Sequence, residues 1–227
     1  CKLVQLANKF NLKYLYGPDY GYRSSINKTM VKHLKKVVTE SKKKTKLQSK
    51  DLVLDIASND GTLLKKYKNS KVKKFGIDPT IKKFNKDYPK SFLKYPGFFS
   101  KKIYEKKTNK KAKAITSIAV FYDLENPNQF VNDISNILDS DGVWVLEQSY
   151  FPKLFFNNAY DSICHEHLTY FIYFQLNILL KKNNPTEVKE CWEGFNRATF
   201  ALNQGLDKII FKPVASVYRT LPTPIKS

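Results

Sequence analysis

The chain has 227 residues, 42% of them hydrophobic and 14% aromatic, which is enough apolar side chain for one packed domain with added segments and excludes wholesale disorder. No run of 18 apolar residues occurs, so no membrane-spanning helix is expected; the N-terminal residues do not read as a secretory leader, and three cysteines (Cys1, Cys164, Cys191) cannot build a disulfide framework, so a cytoplasmic protein is expected. The formal charge is +20, yet only three of the 40 basic residues are arginines (Arg23, Arg197, Arg219). Arginine is the usual reader of phosphates and bases, so lysine spread over the surface explains the charge without nucleic acid.

In chain order, residues 1–20 are short apolar and aromatic pieces closed by the turn signal Gly17-Pro18-Asp19-Tyr20. A helix is expected from Ser24 or Ser25, because Met30, Val31, Leu34, Val37 and Val38 recur at helical spacing. Lys42 to Lys50 reads as a solvated connection. Leu52 to Ala57 is a short apolar run of the kind that forms a buried parallel strand. The turn Ser58-Asn59-Asp60-Gly61 follows it, and Thr62 to Tyr67 starts a helix. Lys74 to Asp78 is a second strand, ending on an acid, and Pro79 to Phe84 opens a second helix. A weaker strand is expected near Ser91 to Lys94, a fourth over Ala112 to Val120, and a helix over Asn128 to Leu138. Asp141-Gly142 is a turn before a fifth strand, Val143 to Glu147. Phe171 to Lys182 is one more helix, broken by Asn183-Asn184-Pro185, and Lys208 to Phe211 is the one strand candidate beyond it. Strand alternating with helix predicts an α/β fold with a parallel sheet and right-handed crossovers.

Open parallel sheets bind ligands beyond the carboxyl ends of their strands. Asp55 and the turn through Gly61 end the first strand, and Asp78 ends the second, 23 residues after Asp55. A carboxylate there can accept two hydroxyl hydrogen bonds from a ribose diol. The turn is neither Gly-x-Gly-x-x-Gly nor a Walker loop, which disfavours a dinucleotide or ATP. A cationic sulfonium with an amino-acid tail suits an acid-lined turn better than a pyrophosphate, which points to S-adenosylmethionine. The competing reading makes these acids turn and cap residues only.

Two of the three histidines fall in Asp161-Ser162-Ile163-Cys164-His165-Glu166-His167, downstream of Glu147-Gln148-Ser149-Tyr150 at the end of the fifth strand. Histidine moves protons near neutral pH, so a general base with an orienting partner is one reading. A metal site is a second, although the spacing is not His-Glu-x-x-His and no second cluster completes a tetrahedron. A loop whose histidines bond to backbone is the third.

Several stretches in order carry a family resemblance: Cys1 to Leu6, Tyr20 to Ser25, Ala57 to Leu64, Gly76-Ile77-Asp78-Pro79, Val120 to Leu124, Glu147 to Tyr150, and Ile163 to Leu168. Over most of residues 1–173 the chain is similar to the S-adenosylmethionine-dependent sugar C-methyltransferases, which act on nucleotide-linked keto-deoxysugars. The resemblance implies a Rossmann-like class I methyltransferase sheet with incomplete flanking segments. It implies that a base removes the proton beside the sugar ketone and that the enolate carbon takes the methyl. His167 would be that base, with Glu166 and His165 in the same catalytic motif. Asp55, Ser58, Asn59, Gly61 and Asp78 would hold S-adenosylmethionine, and Tyr20, Tyr22, Arg23 and Tyr150 would face the substrate. Cys164 stands where many relatives have tyrosine.

Cys1 resembles the last ligand of the family's N-terminal zinc module, so zinc is expected only with further cysteines in a longer chain. The resemblance divides the chain into a remnant of that module (1–20), a methyltransferase domain (21–183) and a remnant of a C-terminal sugar-methyltransferase domain (184–227). The partner it implies is a small nucleotide sugar. An inactive cofactor-binding remnant and, on charge alone, a nucleic-acid methyltransferase are the alternatives.

Overall fold

The computed structural model describes residues 3–9, 11–17, 19–68 and 71–183. Cys1 and the C-terminal segment expected over 184–227, with its strand candidate, lie outside the described residues. The chain begins with a two-residue strand, β1 (Val4–Gln5), and a single-turn helix, α1 (Leu12–Leu15), capped by Asn11. The first long helix, α2 (Lys28–Thr45), starts later than Ser24 or Ser25, because Asn27 supplies the cap: its Oδ1 accepts from Thr29 N–H at 2.9 Å and Met30 N–H at 3.1 Å. It also runs into the stretch expected to be a solvated connection. Ser41 and Thr45 are buried there, Tyr67 donates to Ser41 Oγ at 3.2 Å, and Lys46 at φ +43° ends the helix.

The expected strands follow as β2 (Leu52–Ile56) and β3 (Lys73–Ile77). Between them the expected helix at Thr62 to Tyr67 is only a 3₁₀ turn over Leu64–Lys66. Its i→i+3 geometry eclipses Leu64 and Tyr67, and both are almost fully buried, which an α-helical turn would splay apart. The second helix, α3 (Ile81–Phe84), starts after Pro79 and Thr80, which fold back onto Asp78. Then come β4 (Leu93–Tyr95), α4 (Lys101–Glu105), which no hydrophobic period announced, β5 (Ala112–Ile118) and α5 (Pro127–Ile137). The next strand, β6 (Leu138–Glu147), is longer than expected. Asp141-Gly142 does not precede it but lies in an irregularity within it: Ala112 pairs with Leu138 while Ala114 pairs with Val143. A Cβ on Gly142 would stand 2.9 Å from the end of the Leu138 side chain and 3.0 Å from the Ala112 carbonyl, so the irregularity leaves little room for a side chain there. The chain ends its described part with α6 (Phe151–Phe156), β7 (Thr169–Tyr170), which pairs antiparallel with β1, and α7 (Tyr173–Asn183).

The five main strands are parallel, in the order β4-β3-β2-β5-β6. Alternation along β2 sends Leu52, Leu54 and Ile56 into a core with α5, and Val53 into a core with Leu34, Val37 and Val38 of α2. The sheet is therefore covered on both faces, which is why its strands read as continuous apolar runs. Among the described residues no helix is long and apolar enough to cross a membrane.

Candidate active site

The chain moves outward from β2 through β3 to β4, then returns to place β5 on the other side of β2. That reversal makes a crevice at the carboxyl ends of β2 and β5, where ligands bind in open sheets. Immediately beyond each strand an alanine takes a left-handed backbone: Ala57 at φ +58° after β2 and Ala119 at φ +54° after β5. Such angles are uncommon for residues with a Cβ and concentrate at functional sites. Both alanines line a cleft of about 430 Å³.

The turn Ser58 to Gly61 is held from three sides. Asp78 Oδ2 accepts from Asn59 N–H at 2.8 Å, while its Oδ1 accepts from Thr80 N–H and Oγ1, each at 2.6 Å. The Tyr88 hydroxyl lies 2.8 Å from Ser58 Oγ and donates to the Asn59 carbonyl at 2.9 Å. Asn59 Oδ1 accepts from Ser24 N–H at 3.0 Å, and its Nδ2 donates to the Tyr22 carbonyl at 3.2 Å. Ser58 and Asn59 thus spend their side chains on the scaffold and offer the cleft mainly backbone. Asp78 has three of its about four acceptor positions filled, which leaves one for a ligand hydroxyl rather than the two the sequence suggested.

An arm that carries Tyr16, Tyr20, Tyr22 and Ser24 flanks the cleft. Tyr16, Tyr20 and Tyr22 line it, and the Tyr16 and Tyr20 rings are 5.1 Å apart. Arg23 does not line it. Its Nε donates to Asp60 Oδ2 at 3.2 Å and its Nη2 to Asp87 Oδ1 at 2.5 Å, clamping the arm to the turn after β2.

Glu166 and His167 enter from the loop before β7. His167 Nδ1 lies 2.8 Å from the Ser162 carbonyl, which can only accept, so Nδ1 carries the proton and Nε2 offers a lone pair. The His167 ring sits 4.1 Å from that of Tyr122. Cys164, Glu166 and His167 have ligand-type atoms within 4.8 Å of one another, a set of three among the described residues.

Of the residues singled out in the sequence, the cleft gathers Asp55, Ser58, Asn59, Asp78, Tyr20, Tyr22, Glu166 and His167. It leaves out Arg23, Gly61, Tyr150 and His165; His165 is exposed and Tyr150 half-buried. Glu147, grouped with them by sequence, pairs instead with His33 Nε2 at 2.7 Å. Sequence reasoning gave no role to Tyr16, Tyr122, Ala119 or Asp123, which also line the cleft. The signal was present in the motif Val120 to Leu124, but nothing in its spacing shows which side chain turns inward.

The electrostatics are the reverse of the chain's. In a molecule of charge +20, the described residues line the cleft with four carboxyl groups, Asp55, Asp78, Asp123 and Glu166, and with no lysine or arginine. Burial pushes Asp55 up to about 7 against the opposing Thr116 hydrogen bond of 2.6 Å, with Asp78 adding to the rise. Burial also raises Asp78, opposed by its bonds from Thr80 and Asn59. Asp123 is pushed up to about 7 by burial, opposed by Tyr16 and reinforced by Glu166. Burial pushes the Tyr20 hydroxyl up to about 12. Such a cavity receives cations and neutral polar groups and repels phosphate.

Known proteins agree with this architecture. The chain is 25% identical over 173 residues to C-methyltransferase NovU of Streptomyces niveus, covering 75% of this chain and 41% of that protein. It therefore spans about two-fifths of the length of the curated relative it matches. The plantazolicin methyltransferase BamL, solved in complex with a triazolic desmethylPZN analog and SAH, has a TM-score of 0.57 at 16% identity, over 70% of this chain and 64% of that one. A mycolic acid cyclopropane synthase complexed with SAH and CTAB gives 0.51 at 14% identity, over 74% and 68%. These structures share the fold. Residues 188–227, outside the described part, match the model of the MlaA lipoprotein family. The methyltransferase domain family matches residues 26–189, well over half of the sequence, and this chain belongs to that family.

Proposed function

We propose that the chain binds S-adenosylmethionine in this cleft and C-methylates a nucleotide-linked keto-deoxysugar beside its ketone. The observation that carries the reading is the cleft at the switch point of a methyltransferase sheet, which the described residues line with acids and with no lysine or arginine. The residues fit the cofactor. Asp78 keeps one acceptor position for a ribose hydroxyl, the Cβ atoms of Ala57 and Ala119 are the smallest that a left-handed strand end can carry besides glycine, and the acids suit a cation. When bound, S-adenosylmethionine supplies a methyl group on a positively charged sulfur.

The remaining chemistry belongs to the chain. Ser162 fixes the His167 tautomer, so Nε2 is the base that takes the proton from the carbon beside the ketone. The Tyr122 ring against His167 limits its rotation. The tyrosines of the 16–22 arm cover the reacting groups and exclude water. Because no lysine or arginine among the described residues lines the cleft, the sugar enters it and the diphosphate stays outside. The sequence resemblance and the similarity to NovU support carbon as the acceptor.

Calorimetric titration with S-adenosylhomocysteine, followed by NMR detection of solvent deuterium entering a thymidine diphosphate keto-deoxyhexose, tests the reading. Binding together with exchange is expected. A folded protein that binds neither S-adenosylhomocysteine nor S-adenosylmethionine would sink it. Binding without exchange would favour the second reading, a cofactor-binding protein without turnover.

A further inference from the structure

One buried carboxylate in the cleft has no part in the scheme above. Asp123 stands just beyond β5 and is 3% exposed. Its Oδ2 accepts from the Tyr16 hydroxyl at 2.7 Å, while its Oδ1, also buried, has no hydrogen-bond partner among the described residues. A buried, unpaired anionic oxygen is costly, and the cost is removed if that oxygen carries a proton and donates it to a ligand.

The surroundings favour the proton. Tyr16 and Tyr20 face Asp123 from the arm, Tyr122 adjoins it in the chain, and Glu166 faces it from the loop before β7, adding negative charge. Among the described residues no lysine or arginine lines the cleft to balance either acid. The same shortage creates a need. An enolate oxygen formed in this cleft would meet no lysine or arginine among the described residues, so a neutral acid beside it is the donor at hand. The ring of His167, the base, lies 4.1 Å from that of Tyr122, the residue next to Asp123, tilted by 53°.

We propose that Asp123, protonated on Oδ1 and held through Oδ2 by Tyr16, is the acid that hydrogen-bonds the ketone oxygen of the acceptor while His167 removes the neighbouring proton. This rests on the C-methylation reading. In the step, the Nε2 lone pair takes the proton, the C–H pair becomes the new C=C bond, and the carbonyl π pair moves to the oxygen that Asp123 holds. When the carbonyl re-forms, Asp123 keeps its proton, so no further reactant is needed. A carboxylic acid kept neutral by an apolar site and donating to an enolate oxygen is chemically precedented. The pKa of about 7, raised chiefly by burial, means that the donor is present below neutrality and is lost as pH rises through that value.

The test compares wild type, Asp123→Asn and Asp123→Ala in the full chain with S-adenosylhomocysteine bound. Deuterium exchange into thymidine diphosphate 4-keto-6-deoxyglucose is followed by NMR across pH. Asparagine keeps an acceptor for Tyr16 and an N–H donor for the ketone, but cannot ionise. Wild-type exchange is expected to fall as pH rises through about 7, Asp123→Asn to keep most of the acid-side rate without that fall, and Asp123→Ala to lose roughly 100-fold or more throughout. An Asp123→Asn rate as low as that of Asp123→Ala, or an alkaline fall that persists in Asp123→Asn, overturns the proposal. Carbon-13 NMR of aspartate-labelled protein gives a substrate-free readout: a carboxyl titrating near 7 and missing from Asp123→Asn is expected, and its titration in the ordinary carboxylate range overturns the proposal. Wild-type protein that binds S-adenosylhomocysteine but exchanges nothing overturns the C-methylation reading itself, and this inference with it.

Discussion

The backbone N–H of Asn59 donates to Asp78 Oδ2 at 2.8 Å, so the acid ending β3 holds the shape of the turn that ends β2. Thr80 occupies the other oxygen twice, and Asp78 therefore braces two loops while facing the cleft. Asparagine cannot replace it neutrally, because whichever way the amide turns, its NH₂ meets a backbone N–H. Asp78→Asn is expected to lower stability by about 1–3 kcal/mol and to weaken S-adenosylhomocysteine binding at least tenfold. Urea unfolding and calorimetry read the two effects, and unchanged binding by the variant would remove Asp78 from the cofactor site.

Asp55 links the site to pH. Its carboxyl is 3% exposed, shares a 2.6 Å hydrogen bond with Thr116, and is raised to about 7, chiefly by burial. A raised folded-state value means that folding favours the protonated form. Its stabilisation is complete below about 4 and is lost as pH climbs through about 7. Asp55→Asn should abolish much of that slope, raising the unfolding free energy at pH 8 above that of wild type by on the order of a few kcal/mol, with little gain at pH 4. Equal gains at both values would show that Asp55 does not titrate with folding.

Tyr88 explains two glycines. A Cβ on Gly61, which has φ +72°, would stand 2.9 Å from the Tyr88 ring; one on Gly76 would stand 3.0 Å from that ring and 2.7 Å from Ser58 Oγ. Gly76→Ala is expected to cost about 1–3 kcal/mol in urea unfolding. Adding Ser58→Ala should return part of that loss, since it removes the nearest atom. Strict additivity of the two changes would contradict the proposed contact.

Arg23 ties the arm to Asp60 and Asp87 and does not line the cleft. Burial alone would raise Asp60, but Ser25, Thr62 and Arg23 together hold it below the ordinary carboxylate range. Removing the guanidinium leaves a fully buried acid with one partner fewer. Arg23→Met should destabilise by about 1 kcal/mol, given that Arg23 is about one-third exposed. Its larger effect should be faster proteolysis within residues 14–22, with weaker S-adenosylhomocysteine binding as the tyrosines lose their anchor. An unchanged digestion rate would separate the clamp from the arm's order.

The sheet was legible because its strands are buried on both faces and read as apolar runs, and because Asp55 and Asp78 sit at strand ends where any such sheet exposes its ligand site. Element ends were less so. Asn27 moved a helix start through one side-chain cap, and Ser41 and Thr45 extended its end because polar residues at buried positions look like surface in a sequence. Within the site, residue type named the players but not their directions. Arg23 and Tyr22 are neighbours in sequence, yet one clamps and the other lines the cleft. His165 and His167 are two apart, and only the latter faces inward. Asp123 drew no attention because its significance lies in an oxygen without a partner, which only three dimensions reveal.

The two neighbouring histidines give the sharpest separation of roles. His167 lines the cleft with a tautomer set by the Ser162 carbonyl, while His165 is exposed. His167→Gln should abolish solvent exchange at the ketone-adjacent carbon by a factor of about 100 or more, the contribution of a positioned base, and leave S-adenosylhomocysteine binding within a few-fold of wild type. His165→Gln should leave both intact. The nearby Cys164 and Glu166 supply a competing role for the same lone pair, as one of three metal ligands. Chelation decides between them. If Nε2 acts as the base, exchange survives prolonged dialysis against EDTA and is slowed by added zinc, which would occupy the lone pair; in Cys164→Ser the zinc effect should weaken. Loss of exchange on chelation, restored by zinc, would reassign His167 from base to ligand.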